Sequence, residues 1–453
     1  MSRPQDLFAS RREFLKHSAQ LGLLAAGASA WSRSAHAAPD NKRLKVAAVM
    51  TEFTHRSHAH VILENFLKPY LFNGQFVEPN FEVTSFYVDQ FPEVEMSRDV
   101  AREFGIKIYP TIAEALTLGG KDLAVDAVLS IGEHGKYPVN AKGQMEYPRK
   151  RFFDEIAAVM RRSGRSAPVF NDKHLSFRWD WAKEMYDTAR ELKIPFMAGS
   201  SVPLAERRPP LELPAGVELE EAISIHGGGV ESYDFHALEV LQSMVEGRKG
   251  AEKGVASVQF LDGDALWKAA DDGLWSIPLA TAAMTAELGA EHDLTKAVAL
   301  RGKSPKGEPV SMHGIHVKYR DGFPGTILTV GGSATRWNFA ARVKGKSEPV
   351  ATAFNVGPWN NRNLFKALSH AIQTFFREGV APYPVERTLL VSGVLDAAMD
   401  SRVAGNKPLE TPQLGVAYAP KDFRAMREMG ASWKMITDEI PEPNGITIHG
   451  KRT

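Results

Sequence analysis

Residues 44–50 read LKVAAVM, and similar short apolar runs follow at 81–88, 127–131, 167–170 and 195–198. Helical patterns lie between these runs, near 58–71, 97–104, 111–117, 150–163 and 179–192. Buried strands that alternate with helices are typical of βαβ units, which build a parallel sheet. The sequence therefore predicts a doubly wound α/β domain over residues 44–202.

The second half of the chain has a different pattern. Runs of alternating apolar and polar residues lie at 222–225, 254–260, 315–319, 326–330 and 339–343. Such alternation predicts an open, largely antiparallel sheet, covered by helices near 234–246, 361–378 and 384–402. We therefore expect a second α/β domain over residues 203–453. The stretch 203–214, which contains Arg207-Arg208-Pro209-Pro210, is predicted to be a linker or a crossover.

The composition excludes several classes of protein. The 453 residues are 43% hydrophobic and 24% charged, which is usual for a globular chain. A net charge of +1 gives no basic excess, so no nucleic-acid partner is expected. Because the chain has no cysteine, disulfides, thiolate nucleophiles and cysteine-ligated metals are excluded.

The N-terminus has the pattern of an export signal. Charged residues come first, a short apolar run follows at 21–26, and Ala35-His36-Ala37 forms a small-x-small end. The pair Arg11-Arg12, followed by Phe14-Leu15-Lys16, resembles a twin-arginine signal. We therefore expect residues 1–37 to be a signal peptide read by the Tat export machinery, and the mature protein to be periplasmic or otherwise exported. No segment is long and apolar enough to predict stable membrane insertion.

Ligand-type side chains follow three of the predicted strands. They are His55, His58 and His60 after the first strand, Glu133 and His134 after strand 127–131, and Asp172, Lys173 and His174 after strand 167–170. Since the carboxyl ends of parallel strands meet at one edge of a sheet, we expect these groups to lie close together.

Two interpretations of this cluster remain open. The side chains can act on a substrate as acids and bases, a role for which histidine is suited near neutral pH. Alternatively, histidines can bind a divalent metal such as zinc or manganese. The candidate metal ligands are His55, His58, His134 and His174.

Four segments, in order, resemble the glucose–fructose oxidoreductase/inositol dehydrogenase (Gfo/Idh/MocA) family over about residues 44–403. They are 126–131, 164–174, 182–199 and 383–401. The resemblance implies a Rossmann-type domain followed by a substrate and oligomerisation domain. It also implies an NAD(P) cofactor and a small-molecule carbohydrate substrate, and it is compatible with a homo-oligomer.

Lys173 matches the lysine of the family's Glu-Lys-Pro motif, which in sugar dehydrogenases lies at the substrate and the nicotinamide. The flanking residues differ, since Asp172 replaces the glutamate and His174 the proline. A lysine at this position can hydrogen-bond a reacting hydroxyl and assist its deprotonation.

Residues 226–239 resemble the family's glycine-rich entry to a helix with an Asp-x-x-x-His-x-x-Asp pattern. His236 matches the catalytic histidine and Glu239 takes the place of the second acid. Ser232 takes the place of the first acid, with Glu231 and Asp234 beside it. The resemblance thus implies a catalytic set of Lys173, His236, Asp172 and Glu231.

The first strand departs from the family pattern. In the family it runs into a Gly-x-Gly-x-x-Gly turn that admits a pyrophosphate, but residues 50–58 contain no glycine. Arg56, at the start of the next helix, can still hold an anion, and Asp89 is at the position of the ribose-binding acid. The candidate cofactor-binding residues are Thr51, Arg56, Asp89 and Glu133.

The sequence therefore leaves three functions open. The first is an exported oxidoreductase that acts on a sugar, polyol or derivative with a nicotinamide cofactor. The second is a carbohydrate lyase, epimerase or hydrolase on the same fold that uses the His/Asp/Glu cluster, with or without metal. The third is a non-catalytic binding protein.

Overall fold

In the computed structural model, which describes residues 43–289, 312–331, 333–437, 439 and 445–446, the first half of the chain folds around a parallel sheet. The strands of this half are β1 (Leu44–Met50), β2 (Tyr70–Phe72), β3 (Gln75–Val77), β4 (Phe81–Val88), β5 (Lys107–Ile108), β6 (Ala127–Ile131), β7 (Val169–Asp172) and β8 (Phe196–Gly199). The parallel sheet has the order β5-β4-β1-β6-β7-β8, and β2 and β3 pair as a separate hairpin. The predicted signal peptide, residues 1–37, lies outside the described residues.

Helices cover both faces of the parallel sheet. They are α1 (His58–Leu67), α2 (Ser97–Phe104), α3 (Ile112–Thr117), α4 (Arg149–Ser163) and α5 (Trp179–Glu191). Because β1 is buried on both faces, its sequence is a nearly continuous apolar run rather than an alternating one. The strand order reverses beside β1, so the crevice at the carboxyl ends of β1 and β6 is the usual ligand position in such a sheet.

The second half is built on an eight-stranded mixed sheet. Its strands are β9 (Glu206–Arg208), β10 (Leu219–His226), β11 (Val255–Asp262), β12 (His313–Tyr319), β13 (Pro324–Thr329), β14 (Trp337–Val343), β15 (Val350–Asn355) and β16 (Leu409–Glu410). Their order is β16-β11-β12-β13-β10-β14-β15-β9, and among these strands only β10 and β13 pair in parallel. The predicted fold class, a doubly wound domain followed by a largely antiparallel sheet, is confirmed.

The helices of the second half are α6 (Asp234–Val245), α7 (Gly263–Asp271), α8 (Ile277–Leu288), α9 (Asn361–Glu378) and α10 (Val385–Val403). Helices α6 and α10 pack on one face of the mixed sheet, and α7 and α8 pack on the other. Helix α9 differs from the prediction, because Phe365, Leu368 and Ile372 pack with α1 in the core of the first half. No helix among the described residues has both the length and the apolar character needed to cross a bilayer.

The predicted linker contains a strand. The backbone of Arg207 pairs with Phe354 of β15, which makes β9 one of the two edge strands of the mixed sheet. Pro209 ends this strand, as expected of a residue that cannot donate a ladder hydrogen bond. The predicted boundary at residue 203 lies between β8 of the parallel sheet and β9 of the mixed sheet. Helix α9 comes after this boundary in the sequence but packs with α1, which comes before it.

Candidate active site

A cleft of about 660 Å³ lies at the carboxyl ends of β1, β6 and β7. The loop after β6 contributes Glu133 and His134 to its wall, and the end of β7 contributes Lys173. The turn before α6 and the helix itself add Glu231 and His236. The topology therefore brings the predicted residues from both halves of the chain to one cavity.

Lys173 and Glu133 form the charged centre of the cleft. Lys173 Nζ lies 3.3 Å from Glu133 Oε1 and donates to the carbonyl of Ser232 at 3.2 Å. Glu133 also pairs with the buried Arg149. Burial alone would raise the pKa of Glu133, but Lys173 and Arg149 together hold that pKa below its usual range. Glu133 is therefore a fixed negative charge that orients the lysine.

Arg149 was not predicted, although it connects two of the predicted residues. Its guanidinium pairs with Glu133 and lies 3.0 Å from His174 Nε2. The side chain passes against Gly132, where an added Cβ would lie 2.7 Å from the Arg149 Cγ. The glycine at position 132 thus allows the arginine to reach the cluster.

His58 and Asp172 form a buried pair. His58 Nδ1 lies 2.6 Å from Asp172 Oδ2, and the imidazole packs against the rings of His134 and Phe365. Burial, followed by repulsion from His58, lowers the pKa of His134 to about 4, so His134 is neutral at neutral pH. An imidazole oriented by a carboxylate has the arrangement of a general base.

Glu231 is a carboxyl group of the cleft wall whose pKa is shifted in the opposite direction to that of Glu133. Burial raises its pKa to about 7. Its Oε1 has no hydrogen-bond partner among the described residues and lies 3.4 Å from His174 Nε2. Burial also lowers the pKa of His174 well below its usual value. Glu231 can therefore exchange a proton near neutral pH.

His236 is held by one ring nitrogen. Its Nδ1 lies 2.6 Å from Ser200 Oγ, a hydroxyl that also accepts the N–H of Val202. Burial lowers the pKa of His236 well below its usual value, and Lys173 lowers it further. The imidazole is thus neutral, with Nε2 as the remaining nitrogen. Glu239, aligned with the family's second acid, lies outside the cleft wall and accepts from Thr388 Oγ1 at 2.7 Å.

Backbone strain is concentrated in the cleft wall. Five non-glycine residues of this wall have a positive φ: Arg56 (60°), His134 (74°), Lys173 (67°), Glu231 (69°) and Asn360 (51°). Each such residue costs of order 1 kcal/mol, and strain of this kind collects at functional sites. The strain is therefore independent support for the cleft as the active site.

Backbone N–H groups of the turn between β1 and α1 are directed at side chains of the protein. The N–H of Thr54 donates to Ser57 Oγ at 3.2 Å, the N–H of Arg56 to His60 Nδ1 at 2.8 Å, and the N–H of His58 points to His134 Nδ1 at 3.5 Å. In a glycine-rich turn such amides bind the pyrophosphate. Here the amides of Thr54, Arg56 and His58 are directed at side chains of the protein.

The other predicted cofactor residues lie in different surroundings. Arg56 and Glu133 line the cleft, but Thr51 and Asp89 do not. Thr51 Oγ1 donates to the carbonyl of Glu133 at 2.6 Å and so connects the loops after β1 and β6. The Asp89 carboxylate accepts from Tyr87 at 2.6 Å, from Tyr137 at 2.7 Å and from Arg151 at 2.5 Å.

The four histidines predicted as metal ligands are not gathered around one point. His58 bonds to Asp172, His174 lies beside Arg149, and His55 is exposed with its ring against His60. In the described part of the chain, the only set of three or more His, Asp and Glu side chains with mutually close ligand atoms is a different one, formed by His226, Asp234 and His313.

This second set is a buried hydrogen-bond network that the sequence analysis missed. Asp234 Oδ1 lies 2.9 Å from His226 Nε2 and 2.7 Å from His313 Nε2. Asp234 Oδ2 accepts the N–H of Glu231 at 2.8 Å, and the N–H of Gly228 points to His226 Nδ1 at 3.3 Å. An amide donor at Nδ1 favours the tautomer that carries its proton on Nε2, which suits hydrogen bonding to Asp234 and not metal ligation. The network therefore supports the strained backbone of Glu231.

No protein-family model matches the chain, and no curated protein matches its sequence. Among solved structures, the chain is similar to GenD2 from gentamicin A biosynthesis in complex with NAD, at 12% identity and a TM-score of 0.51, over 86% of this chain and 99% of that one. It is also similar to an oxidoreductase from Agrobacterium radiobacter in complex with NAD+, L-tartaric acid and magnesium (13% identity, TM-score 0.48, 82% and 98% covered). A third similar structure is a putative myo-inositol dehydrogenase from Sinorhizobium meliloti 1021 (12% identity, TM-score 0.46, 81% and 99% covered).

The GenD2 comparison, whose TM-score exceeds 0.5, covers nearly the whole of that chain and both sheets of this one. The similarity therefore extends over the fold as a whole. The chain has the fold of the Gfo/Idh/MocA-type dehydrogenases.

Proposed function

We propose that the protein is an oxidoreductase that acts on a hydroxyl group of a sugar, polyol or derivative, with NAD(P) as its cofactor. The observation that carries this proposal is Lys173, which has a positive φ directly after β7 and lies beside Glu133 in the same cleft wall as His236. A fold shared with GenD2, which was crystallised with NAD, supports the same class of reaction.

The cleft suits the reacting end of a nicotinamide dinucleotide. Its volume of about 660 Å³ is in the range of small-molecule sites, and its wall combines an ammonium group, carboxylates and neutral imidazoles. NAD(P), when bound, would accept a hydride from the substrate carbon. The phosphates would not be held as in a glycine-rich turn, because those amides are bonded within the protein. Arg56, at the start of α1, is the cation in the cleft wall best suited to a phosphate.

The side chains of the chain supply the proton chemistry. Lys173 is ion-paired with Glu133 and donates to the carbonyl of Ser232, so a further N–H can donate to a substrate hydroxyl and fix its orientation. His236 is neutral and can accept the hydroxyl proton at Nε2. Glu231, with a pKa of about 7, can pass a proton between the cleft and solvent.

This proposal is tested with the purified chain lacking residues 1–37. NAD+ and NADP+ are each added with a panel of sugars and polyols, and formation of the reduced nucleotide is followed by absorbance. We expect reduction of one nucleotide with at least one member of the panel. Absence of nucleotide binding, measured by titration calorimetry with both nucleotides, would contradict the proposal.

One observation favours a second candidate, an acid–base enzyme that needs no dinucleotide. The groups that would hold the phosphates and the ribose are already bonded within the protein. The Asp89 carboxylate, at the position of the ribose-binding acid, accepts from Tyr87, Tyr137 and Arg151. His58, oriented by Asp172, and Glu231 would then suffice for epimerisation or elimination. Exchange of a sugar C–H for deuterium in heavy water, without nucleotide, would support this candidate.

We also propose that the protein is exported through the twin-arginine route, on the basis of Arg11-Arg12 and the small-x-small end at Ala35-His36-Ala37. Mass spectrometry of the exported protein should find Ala38 at the N-terminus. Replacement of both arginines by lysine should leave the uncleaved chain in the cytoplasm. Export of that variant at the normal rate would contradict the proposed route.

A further inference from the structure

A second cavity lies away from the candidate active site. It has a volume of about 430 Å³ and is bounded by the segment after β9, the end of α6 and residues 420–427. None of its lining residues belongs to the active-site cleft. Its wall is rich in cationic side chains: Arg207, Lys421, Arg424 and Arg427.

Two of these arginines are buried and share one carboxylate. Arg207 is 7% exposed and Arg427 is 2% exposed. Arg207 Nη1 donates to Glu212 Oε2 at 3.1 Å, and Arg427 Nη2 pairs with Glu212 Oε1. Two fixed positive charges therefore face one negative charge.

Several donors of these two guanidinium groups are unused. Arg207 Nε, Arg427 Nε and Arg427 Nη1 are buried and have no hydrogen-bond partner among the described residues. A guanidinium does not lose its proton in proteins, so these groups remain donors that need acceptors. Burial lowers the pKa of Arg207 to about 9, and the nearby charge of Arg427 contributes to this shift.

The other carboxylates of the cavity wall do not compensate for this excess. Glu246 is held by Arg387 at 2.9 Å and by the hydroxyl of Tyr418 at 2.9 Å. Asp422 is paired with Arg424 at the exposed rim. The remaining cation, Lys421, donates to the carbonyl of Ala381. The deficit of negative charge is thus local to Arg207 and Arg427.

We propose that this cavity is a binding site for a phosphate group, held by Arg207 and Arg427. The three nitrogens without partners, Arg207 Nε, Arg427 Nε and Arg427 Nη1, carry four N–H groups, which require several acceptor oxygens in different directions. A phosphate offers more of these than the two oxygens of a carboxylate, and arginine forks suit its geometry. The site is separate from the proposed oxidoreductase chemistry and does not depend on it.

The test is titration calorimetry of the full mature chain with inorganic phosphate, with acetate as a second probe and chloride to keep the ionic strength constant. We expect saturable binding of phosphate and at least tenfold weaker binding of acetate. Arg207→Lys and Arg427→Lys should each weaken phosphate binding at least tenfold. Arg178→Lys, which alters an exposed arginine paired with Asp180, is the matched control and should have no effect.

A further variant has the opposite expected sign. Glu212 is 42% exposed at its side chain, so Glu212→Gln is expected to fold and to bind phosphate more tightly, because it removes the competing carboxylate. This variant decides the question if either arginine variant does not fold. No saturable phosphate binding, undiminished binding in both lysine variants, or weaker binding in Glu212→Gln would each overturn the proposal.

Discussion

The carboxyl edge of the parallel sheet has two halves that use their polar groups differently. After β1 and β4, the Arg56 amide is bonded to His60 and the Asp89 carboxylate to Tyr87, Tyr137 and Arg151, although His60 Nε2 has no hydrogen-bond partner among the described residues. After β7, His174 Nδ1 has no hydrogen-bond partner among the described residues, and neither has Glu231 Oε1, which reaches His174 from the turn before α6.

Positive φ angles occur in both halves, at Arg56 after β1 and more often after β6 and β7. His134 and Lys173, which follow β6 and β7, both have a positive φ. Glu231, in the same cleft wall, also has a positive φ. Unpaired buried polar groups and strained backbone both reduce stability. Both features occur together, in the unpaired groups of His174 and Glu231 and in the strained backbone of His134 and Lys173, which indicates that the reactive centre lies after β6 and β7, whereas the half after β1 contributes Arg56 and His58 to the cleft wall.

The largest expected effect is on turnover after Lys173→Ala. Loss of the donor that orients the substrate hydroxyl should lower kcat by about 10²–10⁴-fold, because no other ammonium group lines the cleft in the described chain. Steady-state kinetics with the identified substrate would measure this effect. The matched control is Lys150→Ala, which removes an ion-paired lysine on α4 outside the cleft. Equal loss in both variants would contradict the assignment.

A second prediction separates two buried carboxyl groups with similar proton equilibria. Burial raises the pKa of Glu231 and of Glu239 from 4.5 to about 7. The native state therefore favours the protonated form of each. This preference adds to the free energy of unfolding in full below pH 4.5. The added free energy is lost as the pH rises towards 7, because the glutamate ionises first in the unfolded state.

Replacement of either glutamate by glutamine should remove this dependence. Relative to wild type, each variant should gain about 3 kcal/mol of unfolding free energy between pH 4.5 and 7, as measured by denaturant titration at both pH values. Only Glu231 lines the cleft, so only Glu231→Gln should remove an apparent pKa near 7 from the pH profile of turnover. The same change of profile in Glu239→Gln would show that the acid–base group was misidentified.

For Asp89, in the half of the edge after β4, we expect only a small effect of substitution on dinucleotide binding. If Asp89 held the ribose, Asp89→Asn would weaken dinucleotide binding about tenfold or more, since a charge-assisted hydrogen bond contributes about 1.5–3 kcal/mol. We expect less than about threefold, because three protein groups already occupy this carboxylate. Tyr137→Phe, which releases one oxygen of Asp89, should strengthen binding if it has any effect. Tenfold weaker binding in Asp89→Asn would contradict the distinction between the two halves.

The smallest expected effect concerns backbone strain. A glycine accepts a φ of 67° without the cost that an L side chain has there. Lys173→Gly should therefore be more stable than Lys173→Ala by about 1 kcal/mol, although both lose the same amine. Denaturant unfolding of the two variants measures the difference. An alanine variant as stable as the glycine variant would show that position 173 is not strained.

The sequence predicted the elements that are buried on both faces and missed those whose role depends on tertiary contacts. The bounds of β1, β4 and β6 agree with the prediction, because central strands of a parallel sheet are continuous apolar runs. Strand β9 was predicted as a linker because Arg207-Arg208-Pro209-Pro210 has little strand propensity and pairs only through its partner β15. Helices α7 and α8 were missed, so the burial of both His313 and His316 on β12 was not foreseen.

The site was predicted as a set of residues but not as a network. Lys173, Glu133, Glu231 and His236 were identified, and all four line one cleft. Arg149, Ser200 and the His226–Asp234–His313 network were not, because their contacts join side chains between 8 and 79 positions apart. The metal interpretation relied on three loops that meet at one edge of the sheet, which does not determine where the imidazole nitrogens point.

The most direct test of the account is single-turnover reduction of NAD(P) by wild type and Lys173→Ala. Each protein is loaded with the nucleotide that it binds and mixed with the active member of the sugar and polyol panel. The account predicts that both proteins bind the nucleotide with similar affinity and that only wild type reduces it. Reduction by Lys173→Ala at the wild-type rate, or turnover of the carbohydrate by wild type freed of nucleotide, would contradict it.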